Sequence, residues 1–197
     1  MSEQLDAWRG EFGNAYTERN VVDPKARRLA FETMLGGMDV SSVLEVGCNR
    51  GHNLAALRTL LGGRARLLGL EPNKAARTVA SGLGFAVRNG EISALPYGAG
   101  AFDLVFTAGV LIHISPDELD RALSEVHRTS RRYILSIEYS APEETMVPYQ
   151  DRDNLLWKRD YLAIWRARHP DLQPVRQGFW DVADGFDRCD WWLLEKE

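Results

Sequence analysis

The chain has 197 residues, of which 45% are hydrophobic and 26% charged, and its formal net charge is −4. This composition predicts one globular domain over residues 1–197 and excludes general disorder. The acidic balance argues against a nucleic-acid partner. No segment is apolar enough for a signal peptide or a membrane span, so we expect a cytoplasmic protein without a membrane partner. The two cysteines and four histidines show no zinc-like spacing and predict no bound metal.

The first 40 residues predict a helical region ahead of the main domain. Asp23 and Pro24 are typical of a helix start, and this helix should reach about Leu35. The preceding segment, 8–20, mixes aromatic, glycine and polar residues. It serves either as a lid over a site or as a cover for a sheet edge.

From about residue 41 onwards, strand-like and helix-like segments alternate, which is typical of a parallel α/β sheet. We expect a Rossmann-like three-layer sandwich, whose mainly parallel seven-stranded sheet has an antiparallel last strand. A substrate-side insertion is expected at about 141–160. The predicted strands are 42–46, 66–70, 85–88, 102–107, 133–139, 175–179 and 191–195, and the predicted helices are 52–61, 73–82, one after Ser115, and 160–168.

The helix after Ser115 has the clearest start signal in the chain. Ser115 is the predicted N-cap, Pro116 occupies the first helical position, and Glu118 completes a predicted capping box. Leu119, Ala122, Leu123 and Val126 then form one apolar face.

The main chemical motif runs from Glu45 to Gly51, a strand end followed by a turn and a helix start. Gly47 and Gly51 permit a close backbone approach to a ligand, which in open α/β sheets lies at the carboxyl ends of the strands. The turn reads G-x-N-x-G rather than the G-x-G-x-x-G of dinucleotide binders. Glu45 would repel a pyrophosphate but can pair with a ligand ammonium. These two details favour S-adenosylmethionine (SAM) over a nicotinamide cofactor.

A second acidic residue, Glu71, ends the next predicted strand, 20 residues after Gly51. A carboxylate at this position can accept hydrogen bonds from both ribose hydroxyls. A tight turn without any ligand is the alternative reading of the motif.

The segment Asn89-Gly90-Glu91-Ile92 resembles a class I methyltransferase pattern. The resemblance implies that Glu91 meets the adenine amino group and that Ile92 packs on the ring.

A closer resemblance covers nearly the whole chain. It is to the pseudaminic acid biosynthesis-associated methyltransferases, and it implies a class I fold, SAM and a small-molecule acceptor such as a sugar or a natural-product intermediate. The matching segments are 8–20, 45–53, 109–114, 132–135 with 138–139, 158–161 and 191–196. With the turn motif, it predicts cofactor contacts from Tyr16, Arg19, Glu45, Gly47, Cys48, Asn49, Gly51, Glu71, Pro72, Asn89, Gly90, Glu91, Ile92 and Ala108.

Three residues near the ends of the fourth and fifth predicted strands are candidates for catalysis. His113 has a side chain suited to a general base, and Glu138 and Tyr139 face the same expected edge. A structural hydrogen bond is the alternative for His113, and packing or pairing with a helix is the alternative for the other two.

Candidate substrate contacts are Asn20, Tyr149, Lys158 and Arg159, which suit hydroxyls and carboxylates. Surface charge is the alternative role for the two basic residues. The expected reaction is methyl transfer to oxygen or nitrogen of a small polar metabolite. A non-catalytic SAM-binding or scaffold protein remains the alternative, and the sequence does not indicate an oligomeric state.

Overall fold

A seven-stranded β-sheet forms the centre of the structure, a computed structural model that describes residues 3–150 and 152–197. Its strands are β1 (Ser42–Val46), β2 (Arg66–Leu70), β3 (Ala86–Arg88), β4 (Phe102–Ala108), β5 (Ser130–Glu138), β8 (Leu172–Trp180) and β9 (Cys189–Lys196). The two short strands β6 (Thr145–Met146) and β7 (Trp157–Lys158) pair with each other outside this sheet.

The helices are α1 (Glu3–Arg9), α2 (Glu11–Arg19), α3 (Pro24–Leu35), α4 (His52–Leu61), α5 (Lys74–Gly82), α6 (Pro116–Thr129) and α7 (Tyr161–Arg168). Two short 3-10 turns add Leu111–His113 and Val182–Asp184. In the described part of the chain, none of these helices is both long and apolar enough to span a membrane.

The strand order is β3-β2-β1-β4-β5-β9-β8, and the first five strands of this order are parallel. The last strand, β9, runs antiparallel to both of its neighbours. The chain order reverses direction at β1, which lies between β2 and β4. In open α/β sheets a ligand binds at this switch point, outside the carboxyl ends of the strands. The predicted Rossmann-like fold is thereby confirmed.

Alternating side chains of the sheet pack into two apolar layers, because successive residues of a strand point to opposite faces. Val43 of β1 packs with residues of α3 and α4 on one face. Leu44 and Val46 pack with α6 and α7 on the other face. The three-layer arrangement follows from this alternation.

The structure corrects the predicted starts of two strands and one predicted helix cap. Strands β5 and β8 begin at Ser130 and Leu172, each three residues earlier than expected, and β8 includes Pro174. Proline is tolerated there because β8 is the edge strand of the sheet. Ser115 is the N-cap of α6, but its side chain makes no capping hydrogen bond, so the predicted capping box is absent. The Glu118 side chain does not reach back to Ser115 and instead lines a cavity at the carboxyl ends of the strands.

Candidate functional site

A cavity of about 330 Å³ opens at the carboxyl ends of β1, β2, β4 and β5. Its volume falls at the lower end of the roughly 300–1,000 Å³ found for small-molecule sites. We call the side near β1 and β2 the cofactor half, and the side near β4, β5 and the loop before β9 the acceptor half.

The turn after β1 forms the floor of the cofactor half. Gly47 has φ +73°, and a Cβ added there would lie 2.5 Å from Cγ2 of Val110. Its backbone N–H donates to the Leu70 carbonyl at 2.8 Å, which ties the turn to β2. A residue with a side chain would be strained and would also displace Val110. The glycine therefore lets two backbone segments meet under the cavity.

Glu45 lines this cavity, and one of its buried carboxylate oxygens has no hydrogen-bond partner among the described residues. Its Oε1 accepts a hydrogen bond from Asn53 Nδ2 at 2.7 Å, whereas Oε2 has no hydrogen-bond partner in the described residues. Burial raises the pKa of Glu45 to about 8, although Asn53 and the nearby Arg27 act in the opposite direction. An unpaired oxygen of this kind fits a ligand ammonium, which would supply both charge and hydrogen bonds.

Arg27 is a polar residue of the cavity that sequence reasoning missed. Its guanidinium, on α3, donates to Asn53 Oδ1 and to the Gly185 carbonyl, and it lies 4.3 Å from the ring centre of Phe186. Burial lowers its pKa, while Glu45 partly offsets this effect. Residues 27, 53 and 185 are far apart in the chain, so no local pattern indicates the contact.

Glu71 organises the second turn of the cofactor half. One carboxylate oxygen accepts the Asn49 N–H and the other accepts the Asn73 N–H, each at 2.8 Å. Burial raises the pKa of Glu71, and these two N–H donors oppose the shift. Each oxygen retains a lone pair, and the residue lines the cavity. Glu71 can thus accept further hydrogen bonds, as two ribose hydroxyls would supply.

Glu91 and Ile92 line the far end of the cofactor half. Ile92 is buried, which provides an apolar surface for a flat ring. Arg9 of α1 pairs with Glu91 at 3.5 Å, which connects the N-terminal helices to this end of the cavity.

Helices α1 and α2 lie over the cavity, so the segment that was read either as a lid or as an edge cover contributes to the site. The Trp8 ring centre lies 5.1 Å from that of Tyr16 and 4.6 Å from that of His113. Tyr149, from the expected insertion, lies 5.3 Å from His113 and joins this aromatic cluster. Asn73 fastens the two helices by donating to the Trp8 carbonyl and the Asn14 side chain.

His113 is held by its own hydrogen bond in one orientation. Its Nδ1 bonds to the Leu155 carbonyl, which can only accept, so Nδ1 carries the proton. Burial lowers the pKa of His113 to about 4, so the ring is neutral near pH 7 and Nε2 has a lone pair. His113 lines the acceptor half and there offers a hydrogen-bond acceptor.

Glu138 and Arg159 were predicted as site residues, but the structure places both beneath the cavity. Glu138 is fully buried and accepts the N–H groups of Val110, Leu111 and Ile112. Arg159 donates to the Leu111 carbonyl and pairs with Glu144 at 2.6 Å. The direct catalytic role of Glu138 and the substrate contact of Arg159 are therefore replaced by one structural role. Both residues hold the 3-10 turn that positions His113.

Tyr139, at the end of β5, meets a residue that the sequence prediction omitted. Its hydroxyl donates to Oδ2 of Asp187 at 2.6 Å. Burial and the negative Asp187 both raise the pKa of Tyr139, so its phenol remains protonated. Both residues line the cavity.

Three further predicted residues lie away from the cavity lining. Gly51 packs against Phe85 and Ala80, Asn89 accepts a hydrogen bond from Arg77 at 2.9 Å, and Lys158 lies in β7. The predicted residues that do line the cavity are Tyr16, Arg19, Asn20, Glu45, Gly47, Cys48, Asn49, Glu71, Pro72, Gly90, Glu91, Ile92, Ala108, His113, Tyr139 and Tyr149.

His127 forms a small cluster with His169 and Asp171. Its Nε2 lies 2.8 Å from Asp171 Oδ2, and the two imidazole rings stack with centres 4.1 Å apart. The potential metal-ligating atoms of the three residues all lie within 4.8 Å of one another, which is close enough to hold a metal ion. The expectation that no metal is bound stays a prediction.

Comparisons with known proteins agree with this geometry. Residues 43–132 match the family model of a methyltransferase domain. A comparison with curated protein sequences gives no match. The matched segment runs from β1 to the start of β5 and includes Glu45, Glu71 and Glu91 of the cofactor half.

Solved structures share the fold over most of the chain. A Burkholderia thailandensis 1,6-didemethyltoxoflavin N1-methyltransferase, with that compound and S-adenosylhomocysteine bound, is 19% identical, with a TM-score of 0.73 over 98% of this chain and 89% of that one. A Thermotoga maritima protein described as a possible histamine N-methyltransferase is 15% identical, with a TM-score of 0.65 and full coverage of both chains. The [4+2]-cyclase SpnF is 15% identical, with a TM-score of 0.66 over 87% of this chain and 80% of that one.

Proposed function

We propose that the chain transfers a methyl group from SAM to an oxygen or nitrogen atom of a small polar metabolite, such as a sugar or a natural-product intermediate. The observation that carries this proposal is that one cavity has the unpaired Glu45 oxygen in its cofactor half and His113 and Tyr139 in its acceptor half. SAM supplies an electrophilic methyl group when it is bound. The resemblance to the pseudaminic acid-associated enzymes supports a sugar-like acceptor.

The residues of the cofactor half divide by the chemistry that they offer. The turn of Gly47, Cys48 and Asn49, with Glu45, suits the amino acid part of SAM. Glu71 suits the ribose hydroxyls, and Glu91 with Ile92 suits the adenine. Pro72, Gly90 and Ala108 complete the lining, and Tyr16 and Arg19 close the cavity from α2.

The acceptor half supports a small molecule rather than a polymer. Trp8 and Tyr149 cover it from two sides, so the bound group is enclosed by α1 and by the segment before β7. Asn20 and Tyr149 supply polar groups at its rim. The N-methyltransferase descriptions of two structural neighbours are consistent with a small acceptor of this kind.

Calorimetry with SAM, S-adenosylhomocysteine and NAD tests the cofactor half. We expect binding of the first two and none of NAD, and Glu71→Ala should weaken SAM binding by about 1–3 kcal/mol because the ribose loses its acceptor. NAD binding without SAM binding would overturn the proposal.

Turnover needs its own test, because a cyclase also has this fold. The purified protein is incubated with SAM and a panel of nucleotide sugars and small biosynthetic intermediates. Mass spectrometry then searches for a gain of about 14 daltons, one methylene, with a stoichiometric amount of S-adenosylhomocysteine. SAM binding without any product would favour the non-catalytic alternative.

A further inference from the structure

Asp187 occupies a position at which it can select the acceptor. It follows the 3-10 turn of Val182–Asp184 in the connection between β8 and β9. Because β9 runs antiparallel to β5, this connection reaches the edge of the sheet at which β4 and β5 end. Gly185 accepts a hydrogen bond from Arg27, and Phe186 is buried, so the neighbouring residues are anchored.

The Tyr139 hydroxyl leaves one side of the Asp187 carboxylate open. The hydroxyl of Tyr139 donates its proton to Oδ2 of Asp187, whereas Oδ1 of Asp187 has no hydrogen-bond partner in the described part of the chain. Tyr139 therefore fixes the direction of the carboxylate and does not offer its own proton to a ligand. Asp187 is exposed and lines the cavity.

The charges around the acceptor half leave this carboxylate without an ion-pair partner in the described residues. Arg27 is close enough to affect Asp187 electrostatically, but its guanidinium donates to Asn53 and Gly185 and forms no ion pair within 4 Å. Arg19 lies at the mouth, 5.2 Å from the ring centre of Tyr16. The lone pair of His113 Nε2 is a second acceptor in the same half. The two acceptors, the Asp187 carboxylate and His113 Nε2, complement a ligand that donates hydrogen bonds.

We propose, on the basis of the proposed function, that Asp187 is a specificity-determining residue that binds the N–H or ammonium group of the acceptor. The acceptor is then a small amine or an N–H heterocycle. A carboxylic acid is disfavoured because it would place a second negative charge beside Asp187. An alcohol donates one hydrogen bond but brings no positive charge, so it ranks between the two.

The test uses three matched probes, 2-phenylethylamine, 2-phenylethanol and 3-phenylpropionate, which share a ring that suits the aromatic cluster. Their dissociation constants are measured by ligand-observed NMR at pH 7.5 with protein saturated by S-adenosylhomocysteine. We expect the amine to bind at least about tenfold more tightly than the acid, the ratio that one charge-assisted hydrogen bond provides.

Three variants assign this preference to the carboxylate. Asp187→Asn should reduce the amine-to-acid ratio to near one. Tyr139→Phe removes the hydrogen bond that directs the carboxylate but keeps the negative charge, so it should lower the preference only in part. Asp153→Asn, which removes the same charge from an exposed residue outside the cavity lining, should match the unmodified protein.

Three results overturn the inference: the unmodified protein binds the acid and the amine with equal affinity, it binds neither, or Asp187→Asn keeps the full preference. Calorimetry with S-adenosylhomocysteine on the same samples separates this failure from that of the proposed function. Protein that binds S-adenosylhomocysteine but shows no amine preference contradicts the role of Asp187 alone. Protein that does not bind it contradicts the proposed cofactor half.

Discussion

The two halves of the cavity are assembled in different ways. In the cofactor half, most lining residues come from three short segments, 45–49, 71–73 and 90–93, each directly after a strand or a short turn. In the acceptor half, His113, Tyr139, Tyr149 and Asp187 come from four separate parts of the chain. The cofactor half is therefore determined mainly by local turn chemistry, and the acceptor half by tertiary contacts.

This difference explains how far the sequence predicts the site. Glu45, Gly47 and Glu71 were predicted because each lies at or just after the end of an identifiable strand. Arg27 and Asp187 were not, because their partners, Asn53 and Tyr139, lie 26 and 48 residues away. No periodicity or motif encodes such pairs.

The fold was more predictable than the site, for a related reason. The boundaries of β1, β2 and α4 agree with the prediction residue for residue, since apolar periodicity and glycine at helix ends are local signals. Glu138 shows the limit of such signals. Its position at the end of a strand suggested catalysis, whereas the structure uses its carboxylate to bind three backbone N–H groups.

The largest expected effect concerns the turn under the cofactor half. Gly47→Ala combines a strained φ of +73° with a Cβ that lies 2.5 Å from Val110. We expect a loss of about 2–5 kcal/mol in the free energy of unfolding, from left-handed strain and overpacking together, and loss of SAM binding. Urea denaturation and calorimetry measure the two quantities.

Gly98→Ala is the matched control, because nothing lies within 4 Å of the added Cβ and its φ is not positive. It should change stability by less than about 0.5 kcal/mol. Equal stability of the two variants would show that the turn tolerates a side chain.

A second prediction separates the two halves functionally. His113→Ala removes the lone pair at Nε2 and should lower kcat by about 100-fold, the lower range for a positioned proton acceptor. The SAM dissociation constant should stay within about twofold, since His113 belongs to the acceptor half. Steady-state kinetics on the identified acceptor and calorimetry with SAM supply the two values.

Alanine also removes a ring that contacts Trp8 and Tyr149, so a second variant is needed. His113→Asn retains a donor for the Leu155 carbonyl but lacks the Nε2 lone pair. It should be as slow as His113→Ala if the lone pair matters. Full activity of the asparagine variant would assign His113 a purely structural role.

The third prediction tests Glu45 through pH. Its pKa in the free protein is about 8 because of burial, so the carboxyl is mainly protonated at pH 7. A bound ammonium stabilises the charged form and lowers this pKa, so binding releases a proton below about pH 8. The affinity for SAM should therefore rise as pH increases from 6 to 8, by up to about tenfold per unit, and then level off.

Calorimetry in buffers with different ionisation enthalpies counts the released proton. Glu45→Gln cannot ionise, and its affinity should lack this component of the pH dependence. If the SAM affinities of the unmodified protein and of Glu45→Gln changed with pH in the same way, Glu45 would not pair with the ligand cation.

The smallest expected effect comes from comparing two helix caps, Asn73 of the cofactor half and Ser115 at the start of α6. Asn73 caps α5 by accepting the Ala76 N–H at 2.9 Å, and its amide nitrogen also holds Trp8 and Asn14. Asn73→Ala should therefore cost about 1–2 kcal/mol of unfolding free energy. Ser115 has the same position on α6, but its side chain accepts no capping bond.

Ser115→Ala should accordingly change the unfolding free energy by less than about 0.5 kcal/mol, which is less than the usual cost of removing an N-cap side chain. The backbone carbonyl of Ser115 still accepts the N–H groups of Glu118 and Leu119, and alanine retains this carbonyl. Urea denaturation of both variants under identical conditions measures the difference. A loss near 1 kcal/mol for Ser115→Ala would mean that the capping box predicted from the sequence forms in solution. Glu118 would then turn away from the cavity, which it lines in this structure, to reach the Ser115 backbone.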